Sequence, residues 1–410
     1  MRIRSTGLTL FAGLSILVAA CSSTSSSTAP SAAAPSSAPS AAGSGGTGSA
    51  APSQGAASEK PHSDLKIGVV TDVGAVNDKN FNQFSYAGAV NGAVSIGAKT
   101  PSVVVPKATS DYEPLLQAYV DQGFDIIVGV GFNLANPTAK LAKANPNTWF
   151  IGVDHDPCIN AKGDVDTTFK DCTGVIANLI PNYIALNYQE DQAGYLAGIT
   201  AASVSKSGII GAVGGVAICA PCVRYIQGYA LGARSVKPDI QVKVAWVTAS
   251  DFVKGFFDQT GGKTFGDQFI KQNAGIDVIF QVAGNTGNGV IDAACGANLN
   301  AIGVDVDQYN SYAASQACIL TSAEKHLAVS VSQSIQAIAA KTAKGGKILF
   351  NASNDGIGVA AFTNAAKTVS DLQSKIDAAL AGMKDGSVTT CPPAPACGKT
   401  PAPDPIVPAS

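Results

Sequence analysis

Charged side chains are scarce in this chain of 410 residues, since Asp, Glu, Lys and Arg make up only 14% of it. Soluble globular proteins usually carry roughly 25%. The 27 basic residues nearly balance the 29 acidic ones, so no surplus of positive charge is available to neutralise phosphates, and we expect no nucleic acid partner. The hydrophobic share of 46% supplies a core of normal size, and the length predicts about two to three domains.

Catalytic and metal-binding motifs are also missing from the sequence. There is no G-x-S-x-G and no recognisable Ser/His/Asp set. The three histidines, His62, His155 and His326, are scattered, so we predict no metal site and no cofactor. The Gly-Lys-Thr triplets at 262–264 and 398–400 lack the earlier glycine that a phosphate-binding loop needs. These absences favour a binding protein over an enzyme.

Residues 1–20 have the pattern of a secretory signal peptide. Arg2 and Arg4 give a positive start, and residues 7–20 form an uncharged stretch that is too short for a membrane-spanning helix. Residues 18–21, Val-Ala-Ala-Cys, are similar to a bacterial lipobox, which predicts cleavage before Cys21 and lipid on its sulfur. Two acyl chains suffice for stable anchoring. The alternative is an ordinary signal peptide in which Cys21 is incidental.

Residues 21–63 are predicted to form a lipidated tether. From Ser22 to Gln54 the chain is almost wholly Ser, Ala, Pro, Gly and Thr, and no charged residue follows Cys21 before Glu59. Such a segment lacks the large apolar side chains that offset ordering entropy, so we expect a flexible coil.

Eight of the nine cysteines remain when Cys21 is set aside. An even number in an exported protein predicts disulfides. Many connectivities are possible, and the spacing of Cys219-Ala-Pro-Cys222 also resembles a thioredoxin-like redox pair. Their grouping along the chain favours pairing between neighbours: Cys158 with Cys172, Cys219 with Cys222, Cys295 with Cys318, and Cys391 with Cys397.

The body of the chain alternates apolar strands with helical stretches, which predicts an α/β fold. The strands have continuous Ile/Val/Ala character, as expected for parallel strands buried on both faces. They are too many for one sheet, so two Rossmann-like lobes are favoured. The predicted strands are 66–71, 102–105, 125–130, 149–153, 174–179, 208–213, 242–247, 277–282, 301–304 and 318–321, and the predicted helices are 84–96, 112–122, 134–144, 189–204, 223–236, 256–272, 290–297 and 327–343.

Three predicted strands are followed directly by an aspartate, namely Asp72, Asp154 and Asp305. Ligands of doubly wound sheets bind outside the carboxyl ends of the strands, so these carboxylates are candidates for one cleft. Several carboxylates there suit a neutral ligand that bears hydroxyl or NH groups. The alternative is that each aspartate only caps the next turn.

The segment after the first strand, Asn77-Asp-Lys-Asn-Phe-Asn82, begins a predicted helix. An aromatic ring at such a position, here Phe81, can stack on a flat ligand, while Asp78 and Asn82 supply directional hydrogen bonds. The alternative is that Phe81 packs in the core.

The same residues resemble a known family. Residues 66–74 and 77–82 resemble the opening of the basic membrane protein (Bmp/Med) family of bacterial nucleoside-binding lipoproteins. Further along, 192–198, 227–228 and 303–308 follow that family in order, as does Thr321-Ser322 with Lys325, so the resemblance covers about 65–343.

The resemblance implies a type I periplasmic-binding-protein fold that serves as the capture subunit of an ABC importer for nucleosides, with purine nucleosides expected. The implied partners are a nucleoside, the permease and ATPase subunits, and the membrane through the lipid anchor. We expect a monomer on the extracytoplasmic face of the cell membrane, with two hinged lobes that close on the ligand. The predicted boundaries are 1–20 signal peptide, 21–63 tether, 64–185 and 322–345 first lobe, 186–321 and 346–390 second lobe, and 391–410 Pro-rich tail.

Residue roles carried over from the family fall first on the first lobe. The resemblance implies that Phe81 stacks on the base, with Asp72, Asp78 and Asn82 on the same side. It also implies that Asp154 binds the edge of the base.

The remaining implied roles lie in the second lobe and at the hinge. Asp305 would bind the ribose hydroxyls, Lys325 would join it, and Gly284 would let the backbone approach the sugar. The second stacking aromatic corresponds to Phe252, with residues 256–257 as competitors. Two alternatives stay open, a type I binding protein for a sugar or an amino acid and an enzyme that cleaves nucleosides.

Overall fold

The structure, a computed structural model, describes residues 63–402. The predicted signal peptide, the lipidation site Cys21 and all of the tether except Ser63 lie outside the described residues, as do residues 403–410. Within 63–402, no helix is long and apolar enough to cross a bilayer.

Strands and helices alternate along most of this region. The strands are β1 (Ile67–Val70), β2 (Ser102–Val104), β3 (Ile126–Val130), β4 (Trp149–Val153), β5 (Tyr183–Tyr188), β6 (Ile209–Val216), β7 (Gln241–Thr248), β8 (Val278–Val282), β9 (Asn300–Asp305), β10 (Ile319–Lys325), β11 (Gly346–Phe350) and β12 (Ile357–Val359). The helices are α1 (Phe81–Ile96), α2 (Tyr112–Asp121), α3 (Ala135–Ala144), α4 (Ile176–Leu179), α5 (Glu190–Val204), α6 (Ala220–Val236), α7 (Phe252–Phe256), α8 (Gln259–Gln272), α9 (Gly284–Gly296), α10 (Gln308–Ser311), α11 (Leu327–Ala339) and α12 (Leu372–Asp385).

These strands form two six-stranded sheets, one in each lobe. The first has the order β11-β5-β4-β3-β1-β2 and is wholly parallel. The second has the order β12-β10-β9-β8-β6-β7, and only β12 is antiparallel to its neighbour. Strands β1 and β3 are buried along their whole length, as their unbroken apolar sequences predict. The two sheets confirm the predicted two-lobed α/β fold.

The chain passes between the sheets three times, after Tyr188, after Lys325 and after Phe350. The predicted boundaries need correction at these points. Strand β11 pairs with β5, so residues 346–350 belong to the first lobe and not to the second. Strand β5 likewise extends the first lobe to Tyr188, and β10 keeps the second lobe's sheet intact as far as Lys325.

One predicted strand is wrong. Residues 174–179 do not form a strand, because Ile176–Leu179 is a short helical turn, and the strand of this region is β5, a few residues later. Both segments are short apolar runs, which periodicity does not tell apart. Strands β11 and β12 and helix α12 were not predicted.

Helices α5 and α6 pack against each other at very short range. A Cβ added to Gly194 of α5 would overlap the carbonyl oxygen of Tyr225, and one added to Gly228 of α6 would overlap that of Asp191. Glycine at these positions therefore lets the two backbones meet. The contact brings the N-terminal halves of α5 and α6 together beside the cleft.

Four disulfides join the same pairs that the grouping of the cysteines predicts. Cys158 is bonded to Cys172, and Cys219 to Cys222 in the first turn of α6. The other two bonds link α9 to the start of β10 and close a loop near the carboxyl end of the described residues, through Cys295–Cys318 and Cys391–Cys397.

Candidate functional site

A cleft that is partly open to solvent lies between the carboxyl ends of the two sheets, and its empty space of about 610 Å³ includes solvent at the mouth. Eight of the nine predicted ligand-binding residues line it, and Phe252 does not. The predicted residues in the lining are Asp72, Asp78, Phe81, Asn82, Asp154, Gly284, Asp305 and Lys325. Phe256 and Phe257, the predicted competitors of Phe252, and the predicted cysteine pair Cys219 and Cys222 also line the cavity. The lining residues that the sequence did not indicate are Gly131, Phe132, Pro221, Tyr225, Val282, Asn285 and Val304.

Asp78 fixes the start of α1 and with it the position of Phe81. Its Oδ1 accepts hydrogen bonds from the backbone N–H groups of Asn80 at 2.8 Å and Gln83 at 3.1 Å, and its Oδ2 accepts one from Asn82 at 3.0 Å. Burial raises the pKa of Asp78 to about 6 even though these three donors lower it. The carboxylate therefore stabilises the start of α1. Because Phe81 is the first residue of that helix, its position is fixed as well.

Asp72 and Asn82 hold the end of β1 against the start of α1. The backbone N–H of Asp72 donates to Asn82 Oδ1 at 3.2 Å. Asp72 Oδ1 accepts hydrogen bonds from the Tyr112 hydroxyl and, at 2.8 Å, from the Val73 N–H. Burial nevertheless raises the pKa of Asp72 to about 6. Much of the hydrogen-bonding capacity of this side of the cleft is thus used by the protein itself.

Lys325, at the end of β10, is surrounded by carboxylates. Its Nζ lies 2.6 Å from Asp154 Oδ2, 3.3 Å from Glu190 Oε1 and 3.8 Å from Asp305 Oδ1, and its side chain is only 2% exposed. Burial lowers the pKa of Lys325, but the three carboxylates raise it by more. Because Asp154 belongs to the first lobe and Lys325 to the second, this ion pair spans the cleft.

Asp154 and Asp305 occupy equivalent positions in the two lobes. Asp154 directly follows β4, and Asp305 is the last residue of β9. Both have a left-handed backbone, at φ 61° and 66° respectively. Burial raises the pKa of both, to about 6 for Asp154. Asp154 Oδ1 has no hydrogen-bond partner among the described residues, and Asp305 Oδ1 accepts from Tyr225 at 3.2 Å. A buried acceptor without a partner is costly, so the cavity offers acceptors to a ligand that carries hydrogen-bond donors.

Glu190 extends the charge cluster away from the cavity, and the sequence did not indicate it. Its Oε2 lies 2.6 Å from Arg224 Nε, while its other oxygen faces Lys325. Burial raises the pKa of Glu190, but Arg224 and Lys325 lower it by more, so the net shift is downward. The sequence does contain one signal that points to Glu190: it is an acidic residue at the start of α5, directly after the first crossing between the sheets.

The second lobe contributes a wall from the first turn of α6. Cys219, Pro221, Cys222 and Tyr225 line the cavity there, and the two cysteines are joined to each other and buried. The alternative of a reactive thiol pair does not describe this structure, in which the pair is a disulfide.

The predicted second stacking aromatic, Phe252, does not line the cavity. Its ring centroid is 5.6 Å from that of Phe132 and 6.4 Å from that of Phe256. Phe256 and Phe257 line the cavity in its place. The Phe257 ring packs so closely on Gly74 that a Cβ there would overlap it, which explains a glycine just after β1.

Hydrogen bonds join the two lobes beside the cavity. Asn288 Nδ2 donates to the carbonyl oxygen of Asp78 at 3.2 Å, and Ser311 Oγ donates to that of Lys79 at 2.8 Å. Asn288 is itself fixed by Gln308, whose Nε2 donates to Asn288 Oδ1 at 2.7 Å. With the pair Lys325–Asp154, these contacts bring the lobes together across the cleft.

The chemistry of the lining favours a flat, uncharged ligand. Lys325 is the cation of the lining and is already paired with carboxylates, so it is poorly placed to bind a phosphate. Within 63–402 no cluster of His, Cys, Asp or Glu suits a metal ion. What the cavity offers is phenylalanine rings and carboxylate acceptors.

Comparison with known sequences identifies related proteins. The family model described as "ABC transporter substrate-binding protein PnrA-like" matches residues 65–381. The ABC transporter nucleoside-binding protein BmpA of Lactococcus lactis subsp. cremoris is 30% identical over 262 residues, which are 61% of this chain and 66% of that protein. Basic membrane protein D of Borreliella burgdorferi is 27% identical over 326 residues, 78% of this chain and 85% of that protein. The match thus spans just under two thirds of the length of BmpA.

Comparison with solved structures supports the fold. An ABC transporter solute-binding protein from Aeropyrum pernix superimposes with a TM-score of 0.64, at 22% sequence identity, over 79% of this chain and 92% of that one.

Proposed function

Because the chain belongs to the family of PnrA-like ABC transporter substrate-binding proteins, we propose that it captures nucleosides between its two lobes and delivers them to an ABC importer. The observation that carries this proposal is the cavity itself, which combines phenylalanine rings, carboxylate acceptors and a lysine that is already neutralised. A relative that is named as nucleoside-binding supports the same ligand class.

In the proposed complex the base lies beside Phe81 and faces Phe256 or Phe257 from the other lobe. Stacking on aromatic rings is worth about 1–3 kcal/mol per base and tolerates different bases. Asp154, with one oxygen unpaired, accepts a hydrogen bond from an N–H of the base, which favours purines such as guanine. Asp305 accepts from the ribose hydroxyls.

The proposed setting is the extracytoplasmic face of the cell membrane. We propose that a lipid on Cys21 anchors the protein, that residues 21–63 tether it, and that it acts as a monomer. The permease and ATPase subunits of the importer would then receive the nucleoside from the closed lobes.

Calorimetry on the segment from Glu59 to Ser410 tests the ligand class. We expect guanosine and inosine to bind, guanine to bind more weakly, and ribose and guanosine monophosphate to bind least, because no unpaired cation in the lining faces a phosphate. Preferential binding of a sugar or an amino acid would overturn the proposal.

The same protein, incubated with guanosine in the presence and absence of phosphate, tests for an enzyme. We expect chromatography to show intact guanosine. Release of free guanine would instead identify a nucleoside-cleaving enzyme.

A further inference from the structure

We propose that the C-terminal loop, defined here as residues 390–402, is a positioning element of the ligand site. The family model ends at residue 381, so its match does not extend to this loop. The inference rests on the proposed function, because it concerns how the nucleoside cleft is held.

The loop is attached to helix α6 through one buried side chain. Gln227, which is fully buried, donates from Nε2 to the carbonyl oxygen of Ala396 at 2.8 Å and accepts on Oε1 from the N–H of Gly398 at 2.8 Å. The loop is closed by the disulfide Cys391–Cys397, so Ala396 lies within the closed ring. Both the nitrogen and the oxygen of the Gln227 side-chain amide thus form hydrogen bonds with the backbone of the loop.

A second attachment lies just before α6. The N–H of Ala402 donates to the carbonyl oxygen of Ala217 at 2.8 Å. Ala217 immediately precedes the turn that carries Cys219 and Cys222 into the wall of the cavity. The loop therefore holds this wall on both sides of the disulfide, from Ala217 and from Gln227.

The loop also contacts the charge cluster of the site. A Cβ added to Gly398 would lie 3.1 Å from Arg224 Cγ, so the Arg224 side chain passes directly against the loop. Arg224 binds Glu190, and Glu190 in turn lies 3.3 Å from Lys325. Next to Glu190, Asp191 accepts a hydrogen bond from the Thr390 hydroxyl. The loop is thus in contact with the N-terminal halves of both helices that support the cavity.

The disulfide of the C-terminal loop and one disulfide of the second lobe allow a matched experiment. The double substitution C391S/C397S opens the C-terminal loop, whose cysteines are 6 residues apart. The control, C295S/C318S, removes a disulfide whose cysteines are 23 residues apart and do not line the cavity. Because a longer closed loop stabilises a protein more, the control should lower the unfolding temperature at least as much.

Guanosine affinity should follow the opposite order. We expect C391S/C397S to weaken it by about three- to tenfold, the effect of a buried hydrogen-bonded contact, and C295S/C318S to leave it within about twofold of the parent. This opposition between affinity and stability separates a positioning role from a general loss of stability.

A second variant keeps the disulfide and cuts the attachment. Gln227→Met has a similar shape but cannot bond to Ala396 and Gly398, so it should reproduce the loss of affinity. Unchanged affinity in C391S/C397S, or an equal loss in C295S/C318S, would overturn the inference. If the parent itself binds no nucleoside in calorimetry, the proposed function fails first and the inference fails with it.

Discussion

The two walls of the cleft are built in opposite ways. Most of the first-lobe wall is one continuous segment, Asp72 to Asn82, whose carboxylates are held mainly by nearby backbone N–H groups. The second-lobe wall is assembled from separate segments, including the first turn of α6 and Asp305. There, Asp305 is held by side chains from elsewhere in the chain, Tyr225 and Lys325.

The difference indicates a division of work between the segment from Asp72 to Asn82, called the first wall below, and the carboxylates around Lys325, which are Asp154 of the first lobe and Asp305 of the second. Carboxylates held by backbone donors have little capacity left for a ligand, so the first wall mainly presents Phe81. Carboxylates held by a lysine and a tyrosine keep acceptor capacity, so Asp154 and Asp305 are the groups we expect to recognise a ligand's donors.

The largest effect is expected from Lys325→Met. The substitution leaves Asp154, Glu190 and Asp305 buried without their shared cation, and loss of one partner of a buried ion pair costs about 3–5 kcal/mol. Urea unfolding should show that loss in free energy. The control is Lys347→Met, whose partner Asp156 is exposed and whose loss should cost under about 1 kcal/mol. Equal losses would mean that the cluster does not hold the lobes as described.

Phe81→Ala is expected to have the largest effect on affinity alone. Loss of a stacking ring should weaken guanosine binding by roughly ten- to a hundredfold, while the unfolding temperature of the free protein changes little. Phe169→Ala is a suitable control, since Phe169 is exposed outside the cavity. Guanosine affinity equal to the parent in Phe81→Ala would show that the base lies elsewhere.

Replacing one carboxylate on each wall by an amide tests the division of work between the walls directly. Asp305→Asn removes a charged acceptor from the ribose site and should weaken guanosine binding by about tenfold, with a smaller effect on guanine. Asp72→Asn, on the first wall, should change guanosine affinity by less, because Tyr112 and Val73 already use that carboxylate. Calorimetry on both variants decides between the walls, and a larger loss in Asp72→Asn would reverse their roles.

The same contrast explains what the sequence was able to predict. Asp72, Asp78, Phe81 and Asn82 lie within one short strand-to-helix connection, so local rules brought them together. Asp154 and Asp305 were predicted because each comes at the carboxyl end of a parallel strand, and these ends lie along the same edge of a sheet. The two-lobed fold followed from alternating strands and helices, whereas the short edge strands β11 and β12 are partly exposed and carry weak apolar patterns.

The residues that were missed depend on packing between helices. Glu190, Arg224 and Tyr225 meet at the cluster only because α5 and α6 approach so closely, and helix faces are fixed by such contacts and not by local sequence. Phe252 and Phe256 lie about one helical turn apart in α7, so which ring reaches the cavity is set by how that short helix packs.

The smallest expected effect concerns the pH dependence of the first-lobe wall. Burial raises the pKa of Asp72 from 3.8 to about 6, so between pH 7 and pH 5 the folded state takes up a proton that the unfolded chain does not. Stability due to this group is therefore gained as the pH falls through 6 and lost as it rises, by about 1 kcal/mol between pH 5 and pH 7.

Asp72→Asn removes this titration, so its urea midpoint relative to the parent should improve as the pH rises. Asp385→Asn is the control, because the bond from Ser387 lowers the pKa of that exposed carboxylate and keeps it charged throughout this range. Parallel pH profiles of the urea midpoint for the parent and Asp72→Asn would show that Asp72 is already charged at pH 5. The Asp72 carboxylate would then be better hydrated than its burial indicates.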